Sequence, residues 1–349
     1  MRLVTANRSL RRRAFLVGTA GVAGAGLLWI ARDDEAESRL DDKTVVRHDG
    51  TDLHTPFDRS SMSELTVIAH RGFAGKNPEN TVAAVAAAAG VTEDGEDVDS
   101  GTSSGDSSAA RPADLVEIDV VPTADGDVVV FHDDRLAGRA GGLLGLTDAE
   151  GIVWETDTET VTNAEVLGSG ETVPLLREVL EVLPPEVGLN VELKNPGSAA
   201  IRPGEALSSD DLDEQTALWR PFVERVLSVI DDHDNEVLVS SFCEAAIATC
   251  HELSSYPTAP IFGESIDDGL EIARRYDADA VHPSIDSVRR TPFADDSGPS
   301  DVDVVEAAHE DGRDVNVWTV TTWHEAAWLA SVGVDGIIAD YSGLTGRWP

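Results

Sequence analysis

From residue 65 onward, short apolar runs rich in valine and isoleucine alternate with longer stretches in which apolar residues recur at helical spacing. Strands show period two, or an unbroken apolar run when both faces are buried, whereas helices show a period near 3.6 residues. The pattern predicts strands over residues 65–69, 116–122, 188–194, 236–241, 258–262, 278–282, 314–320 and 336–339. Helices are expected after Thr81, over 174–183, 219–231 and 243–253, and between the later strands. A ninth strand-like arm runs up to His132, and the Asp125-Gly126 turn before it follows Pro122 too closely for a parallel crossover. That arm therefore returns antiparallel as a hairpin. Eight strands separated by helices remain, the signature of parallel strands joined by right-handed crossovers. The expected fold is α/β, a (β/α)8 TIM barrel with a small inserted excursion after the hairpin, over 134–172.

A few polar residues interrupt the apolar runs. Glu117 and Asp119 alternate inside a β-branched strand, so both side chains lie on one face. Two carboxylates that close repel one another, and a divalent cation between them is the economical resolution. Folding the hairpin about its turn brings His132 roughly level with Glu117. On a second strand Asn190, Glu192 and Lys194 share a face, which sets another acid beside a base. Barrels of this kind gather their chemistry at the carboxyl ends of the strands. His70, Asp119, Glu192, Phe242, His282, Trp318 and Asp340 all fall at or near such ends. His282 reads as structural, as do the histidines of the amino-terminal spacer and of the helix and loop stretches.

In order along the chain stand His70-Arg71-Gly72, Pro78-Glu79-Asn80-Thr81, Glu117-x-Asp119, Asp125-Gly126, His132-Asp133, Glu192-x-Lys194, Ser241-Phe242, Trp318-Thr319-Val320 and Asp335-Gly336-Ile337-Ile338-Ala339-Asp340. This ordered set resembles the glycerophosphodiester phosphodiesterase family, a phosphatidylinositol-phospholipase-C-like phosphodiesterase barrel. The resemblance implies metal-dependent cleavage of glycerophosphodiesters to glycerol 3-phosphate and an alcohol. It implies Glu117, Asp119 and Glu192 as ligands of one divalent cation, Ca2+ or Mg2+, and His70 and His132 as the acid–base pair. Arg71 and Lys194 would hold phosphate oxygens, with Phe242 and Trp318 lining the substrate pocket. The loop Gly138-Arg139-Ala140-Gly141-Gly142 departs from the family's usual pattern after the His-Asp pair. Residues 195–215 and 283–303 follow strands and should rim the site, which makes Arg289 and Arg290 candidates for headgroup contacts.

Charge and leader sequence add habitat rather than chemistry. Lys+Arg 26 against Asp+Glu 65 gives a net charge of −39 over 349 residues. Such a surface repels nucleic acid and anionic lipid, and it fits high salt, where the screening length is about 3 Å at 1 M. Residues 1–31 hold five arginines and no acid. Arg11-Arg12-Arg13-Ala14-Phe15-Leu16 before a Gly/Ala-rich run resembles a twin-arginine export signal, so the chain is expected outside the cytoplasm. The uncharged run 14–31 is about 27 Å long as a helix and is a candidate membrane tether if it stays uncut. Residues 32–63 read as a charged spacer, 64–349 as the barrel, and 91–113 as an acidic flexible loop on the amino-terminal side. Cys243 and Cys250 read as buried thiols on one helix. Two other functions remain in view: a related lipid-headgroup phospholipase, which an exposed apolar ridge at the rim would favour, and a non-catalytic cell-surface binding barrel.

Overall fold

The computed structural model describes residues 59–91, 112–138, 146–294 and 301–345. Nine strands form one sheet: β1 (Thr66–Ala69), β2 (Leu115–Pro122), β3 (Val128–Val130), β4 (Gly188–Leu193), β5 (Val237–Ser241), β6 (Thr258–Phe262), β7 (Ala280–Pro283), β8 (Asp314–Val320) and β9 (Gly336–Ala339). β1 pairs in parallel with both β2 and β9, and this closes eight parallel strands into a barrel. β3 is the antiparallel hairpin arm, paired Val120↔Val130 and Val121↔Val129. Carried two residues further, that register sets His132 opposite Ile118, between the two acids of β2.

Helices fill the crossovers: α1 (Arg59–Glu64), α2 (Val82–Ala88), α3 (Thr158–Thr162), α4 (Leu176–Val182), α5 (Ser209–Ile230), α6 (Glu244–Leu253), α7 (Ile266–Arg275), α8 (Val304–Glu310) and α9 (Trp323–Ser331). Most of their starts are capped by side chains, as Thr81 accepting from Ala84 N and Ser208 from Asp211 N show. The main core lies between strands and helices and joins Ile118 and Val191 to Trp219, Phe222, Leu270 and Leu329. A second core packs the outer face of the hairpin, Val121, Val129 and Phe131, against Leu136, Val153, Val161 and Val173 of the excursion. The inserted segment is thus anchored to the strand pair that carries Glu117, Asp119 and His132.

Several expected boundaries move. Residues 59–63, read as spacer, belong to α1. α5 begins at Ser209, ten residues before the predicted start, so the rim loop after β4 ends at Ser208. Acidic residues hid that first part; Asp210 and Asp211 in the first turn oppose the positive end of the helix dipole and stabilise it. Cys243 caps α6 from outside, Cys250 lies within it, and both are buried free thiols. The export signal, most of the spacer, most of the acidic loop (92–111) and the loop 139–145 lie outside the described residues. Among the described residues no helix is long and apolar enough to cross a membrane.

Candidate active site at the carboxyl ends of the strands

Register brings the acids together. Asp119 pairs with Glu192 across β2 and β4, and Glu117 pairs with Asn190. One oxygen from each of Glu117, Asp119 and Glu192 lies within 4.8 Å of the others. All three residues are buried, and Asp119 is wholly enclosed. Glu117 Oε1 and Asp119 Oδ1 accept no hydrogen bond, although a buried carboxylate oxygen normally finds a donor. An all-oxygen, three-carboxylate cluster with acceptor atoms left over fits a hard divalent cation.

The turn after β1 closes this cluster from one side. Arg71, Gly72 and Phe73 take positive φ in succession (50°, 75° and 64°), a conformation that costs energy for residues bearing a Cβ. Gly72 is required there, since a Cβ would lie 2.8 Å from Ala84. The turn aims Arg71 N at Glu117 Oε2, to which it donates at 2.7 Å. Asn80, at φ 59°, donates from Nδ2 to Asp119 Oδ2 at 2.8 Å and accepts from Asp119 N.

The two cations are held by the acids. Arg71 Nη1 donates to Glu79 at 2.9 Å, and its Nε stands 3.1 Å from Asp119 Oδ2 without the angle of a hydrogen bond. Lys194 Nζ is 2.6 Å from Glu192 Oε1, 3.6 Å from Asp119 Oδ1, and 5.4 Å from the Phe242 ring centroid. Burial and the neighbouring charges of Asp119 and Glu192 push the Glu117 carboxyl well above its usual range. Burial also raises Glu192 against the pull of Lys194. For Asp119 burial acts in the same sense, but His132, Arg71 and Lys194 outweigh it and hold the carboxyl below the usual range. Burial opposes the charge on Lys194, yet Glu192 and Asp119 keep its pKa raised.

Two imidazoles flank the cluster, each backed by an aspartate. His70 Nδ1 lies 2.6 Å from Asp340 Oδ1, and His132 Nδ1 lies 2.6 Å from Asp133 Oδ1. With Nδ1 of His70 engaged, Nε2 is the atom that ring can present to a substrate. The far side of the mouth is aromatic: Phe242 and Trp318 meet edge to face at 5.4 Å. Trp318 Nε1 donates to the His282 carbonyl at 2.8 Å.

Sequence-predicted residues on or just after six strands, β1, β2, β3, β4, β5 and β8, therefore meet at one mouth. His282 does not join them; it is fully enclosed, pairs with Asn316 at 3.1 Å, and burial pushes its imidazole down to about 3. Arg289 and Arg290 are engaged by Asp301 and Asp303 on their own loop. Sequence reasoning assigned no role to Glu79, Asn80, Asp133 or Asp340. The signals for Asp340 were its place just past the end of a strand and at the close of the Asp335–Asp340 motif.

A family model described as the glycerophosphoryl diester phosphodiesterase family matches residues 103–344. The chain belongs to this family. The match begins after β1, so His70, Arg71 and Asn80 enter the family site through geometry. A glycerophosphodiester phosphodiesterase of Bacillus altitudinis is 27% identical over 288 residues, 79% of this chain and 94% of the relative. A second, from Caldanaerobacter subterraneus, is 25% identical over 284 residues, covering 78% and 93%. Among solved structures, an Oleispira antarctica phosphodiesterase in complex with the product sn-glycerol-3-phosphate superposes with a TM-score of 0.56 at 24% identity, covering 80% of this chain and 95% of that one. The Thermotoga maritima glycerophosphodiester phosphodiesterase gives 0.52 at 21% identity, covering 79% and 94%. At such identities these two structures establish the shared barrel.

Proposed function

We propose that this protein hydrolyses glycerophosphodiesters to glycerol 3-phosphate and an alcohol, with His70 and His132 as acid–base groups and a divalent cation held by Glu117, Asp119 and Glu192. The observation that carries the reading is the convergence of those three carboxylate oxygens within 4.8 Å, beside two aspartate-backed imidazoles. A phosphodiester is anionic, so its hydrolysis needs charge neutralisation, removal of a proton from the nucleophile and delivery of one to the leaving alkoxide. When bound, a calcium or magnesium ion would supply positive charge to the phosphoryl oxygens. Lys194 adds a cation at the mouth, and Arg71 contributes its charge from behind the carboxylates. One imidazole takes the proton of the attacking hydroxyl while the other protonates the departing oxygen. Asp340 and Asp133 fix the orientation of each ring. Phe242 and Trp318 supply an apolar wall for the carbon face of the substrate.

The test is release of glycerol 3-phosphate from glycerophosphocholine, glycerophosphoethanolamine and glycerophosphoglycerol in high salt. Each is run with calcium, magnesium or chelator, beside His70→Ala and Glu117→Ala. Metal-dependent release that both substitutions abolish is expected. Folded protein that releases nothing from any of the three would refute the assignment.

A further inference from the structure

At its amino-terminal end, opposite the active site, the barrel holds a cavity of about 260 Å³. Barrels of this kind normally fill that space with large branched side chains, but the inward positions Ala280 and Gly336 are small here. The cavity is smaller than the roughly 300–1,000 Å³ of drug-sized sites, so it suits a ligand of a few heavy atoms.

Three features follow one another inward. At the mouth stand the carboxylates of Asp279, Asp314 and Asp335, which precede or open β7, β8 and β9. Asp279 and Asp335 each commit one oxygen to a strand N–H, of Thr258 at 3.1 Å and of Val315 at 2.8 Å, and Asp335 also meets His309 Nε2. The Asp314 carboxylate takes no hydrogen bond or ion pair among the described residues. Burial and the charge of Asp335 raise its pKa, with His309 opposing and Asp279 adding to the rise. Behind the acids, Leu115, Leu238 and Ile68 form an apolar sleeve, and Asn316 ends it. Asn316 is 6% exposed, and its Nδ2 donates to His282 Nε2 at 3.1 Å. With Nδ2 turned to His282, which lies outside the cavity lining, Oδ1 is the polar atom that Asn316 presents to the cavity. It lies over the Cα of Gly336, where a Cβ would collide with it, and it accepts no hydrogen bond among the described residues. A carbonyl oxygen this enclosed normally receives a donor.

We propose that this cavity binds a short amino alcohol, with the ammonium among the three carboxylates and the hydroxyl donating to Asn316 Oδ1; the site is independent of the hydrolase reading above. The order of groups selects the ligand. Asp314 and Asn316 are two residues apart on one face of β8, about 6.6 Å along the strand, a span that a chain of about four carbons covers. Methylenes between the two polar ends lie along Leu115 and Leu238. A hydrated alkali cation would lose water against that sleeve and gain nothing from it. An anion is repelled by the acids, and a neutral alcohol leaves their charge unanswered.

Titration calorimetry in potassium chloride at fixed ionic strength tests this with 4-amino-1-butanol, butylammonium and 1-butanol. The proteins are the native full-length chain, Asp314→Asn, Asn316→Ala and Glu117→Gln. The native protein should bind the amino alcohol saturably, butylammonium about threefold to tenfold more weakly, and 1-butanol not at all. Asp314→Asn should weaken both amines by at least about fivefold. Asn316→Ala should remove the advantage of the amino alcohol over butylammonium. Glu117→Gln, altered at the other end of the barrel, should bind the amines as the native protein does, which separates this cavity from the active-site acids. Absence of saturable binding overturns the proposal, as does an affinity that both cavity variants leave unchanged or that Glu117→Gln abolishes. Where one cavity variant fails to fold, the other decides, since each alters a different end of the ligand's contacts. None of these titrations reads turnover, so failure here leaves the hydrolase reading standing.

Discussion

Replacing Glu117 with Gln should stabilise the metal-free protein and remove its response to divalent cations. Glu117 sits within 4.8 Å of two other carboxylates, and at an effective dielectric near 20 each like-charge pair at that distance opposes folding by about 3.5 kcal/mol. Arg71 and Lys194 offset most of this, which leaves a net strain of about 1–3 kcal/mol that a neutral amide relieves. The sign follows from the raised Glu117 pKa. Its carboxyl is favoured protonated in the fold, so stability falls as pH rises from the unfolded carboxyl pKa near 4.5 towards the folded value. Melting entropy for a barrel of this size makes 1 kcal/mol worth about 1.7 °C, so Gln should raise Tm in chelator by about 2–5 °C. Cation at a hundred times its Kd adds about 2.7 kcal/mol to the native protein, or about 4–5 °C. The variant should gain almost none of that. The gap between variant and native protein therefore shifts by about 4–5 °C in favour of the native protein between chelator and metal, which calorimetry under both conditions reads directly. A variant that melts below the native protein in chelator, or that keeps the full cation shift, would refute the metal-site reasoning.

Asp340→Asn should lower kcat by about a hundredfold to ten-thousandfold with little change in KM, because the amide no longer fixes the His70 ring as the carboxylate does; an unchanged kcat would contradict this. His282, with an imidazole pKa of about 3 against 6.5 unfolded, withholds stability as pH falls through that window. At pH 4.5 the loss is about 2.7 kcal/mol relative to pH 7, and His282→Gln should remove that much of the acid sensitivity in urea titrations. Glycerol 3-phosphate should bind only to cation-loaded protein, as titration calorimetry with and without chelator would show. Changing Arg11-Arg12 to a pair of lysines should keep the precursor in the cytoplasm, scored by fractionation; continued export would exclude the twin-arginine reading.

The barrel was legible because buried parallel strands are short, apolar and separated by helical spacing, and β6, β8 and β9 fall where the pattern put them. The carboxylate cluster was legible for the opposite reason. Glu117, Asp119 and Glu192 violate an apolar run at period two, and an acid inside a strand needs a cause. Longer-range partners left no such mark. His70 and Asp340 are 270 residues apart and meet only because β1 pairs with β9 to close the barrel. Asn80 could be read as a helix cap, yet Thr81 takes that role and Asn80 turns back to Asp119. The start of α5 was hidden by its acids, and Pro221 interrupts its apolar rhythm without ending it.

Charge balance ties the site together. Glu79, Glu117, Asp119 and Glu192 are four carboxylates in one enclosed region, and Arg71, Lys194 and His132 stand beside them. Buried charge is tolerated when it is compensated, and the raised pKa of Glu117 shows that these neighbours compensate it incompletely. On the proposed reading a divalent ion would supply the missing positive charge. Arg71 and Lys194 are turned towards the carboxylates. With a cation held there, the same lysine and arginine would have less to neutralise below them, and more of their field would reach a phosphate above. The strained turn at Arg71–Phe73 fits this division of labour, since it holds a backbone N–H on Glu117 and a guanidinium against Asp119 whether or not substrate is present. On the proposed reading the acids would hold the metal, Arg71 and Lys194 would keep that place folded before it binds, and loading the metal would turn an anion-repelling pocket into one that accepts a phosphodiester.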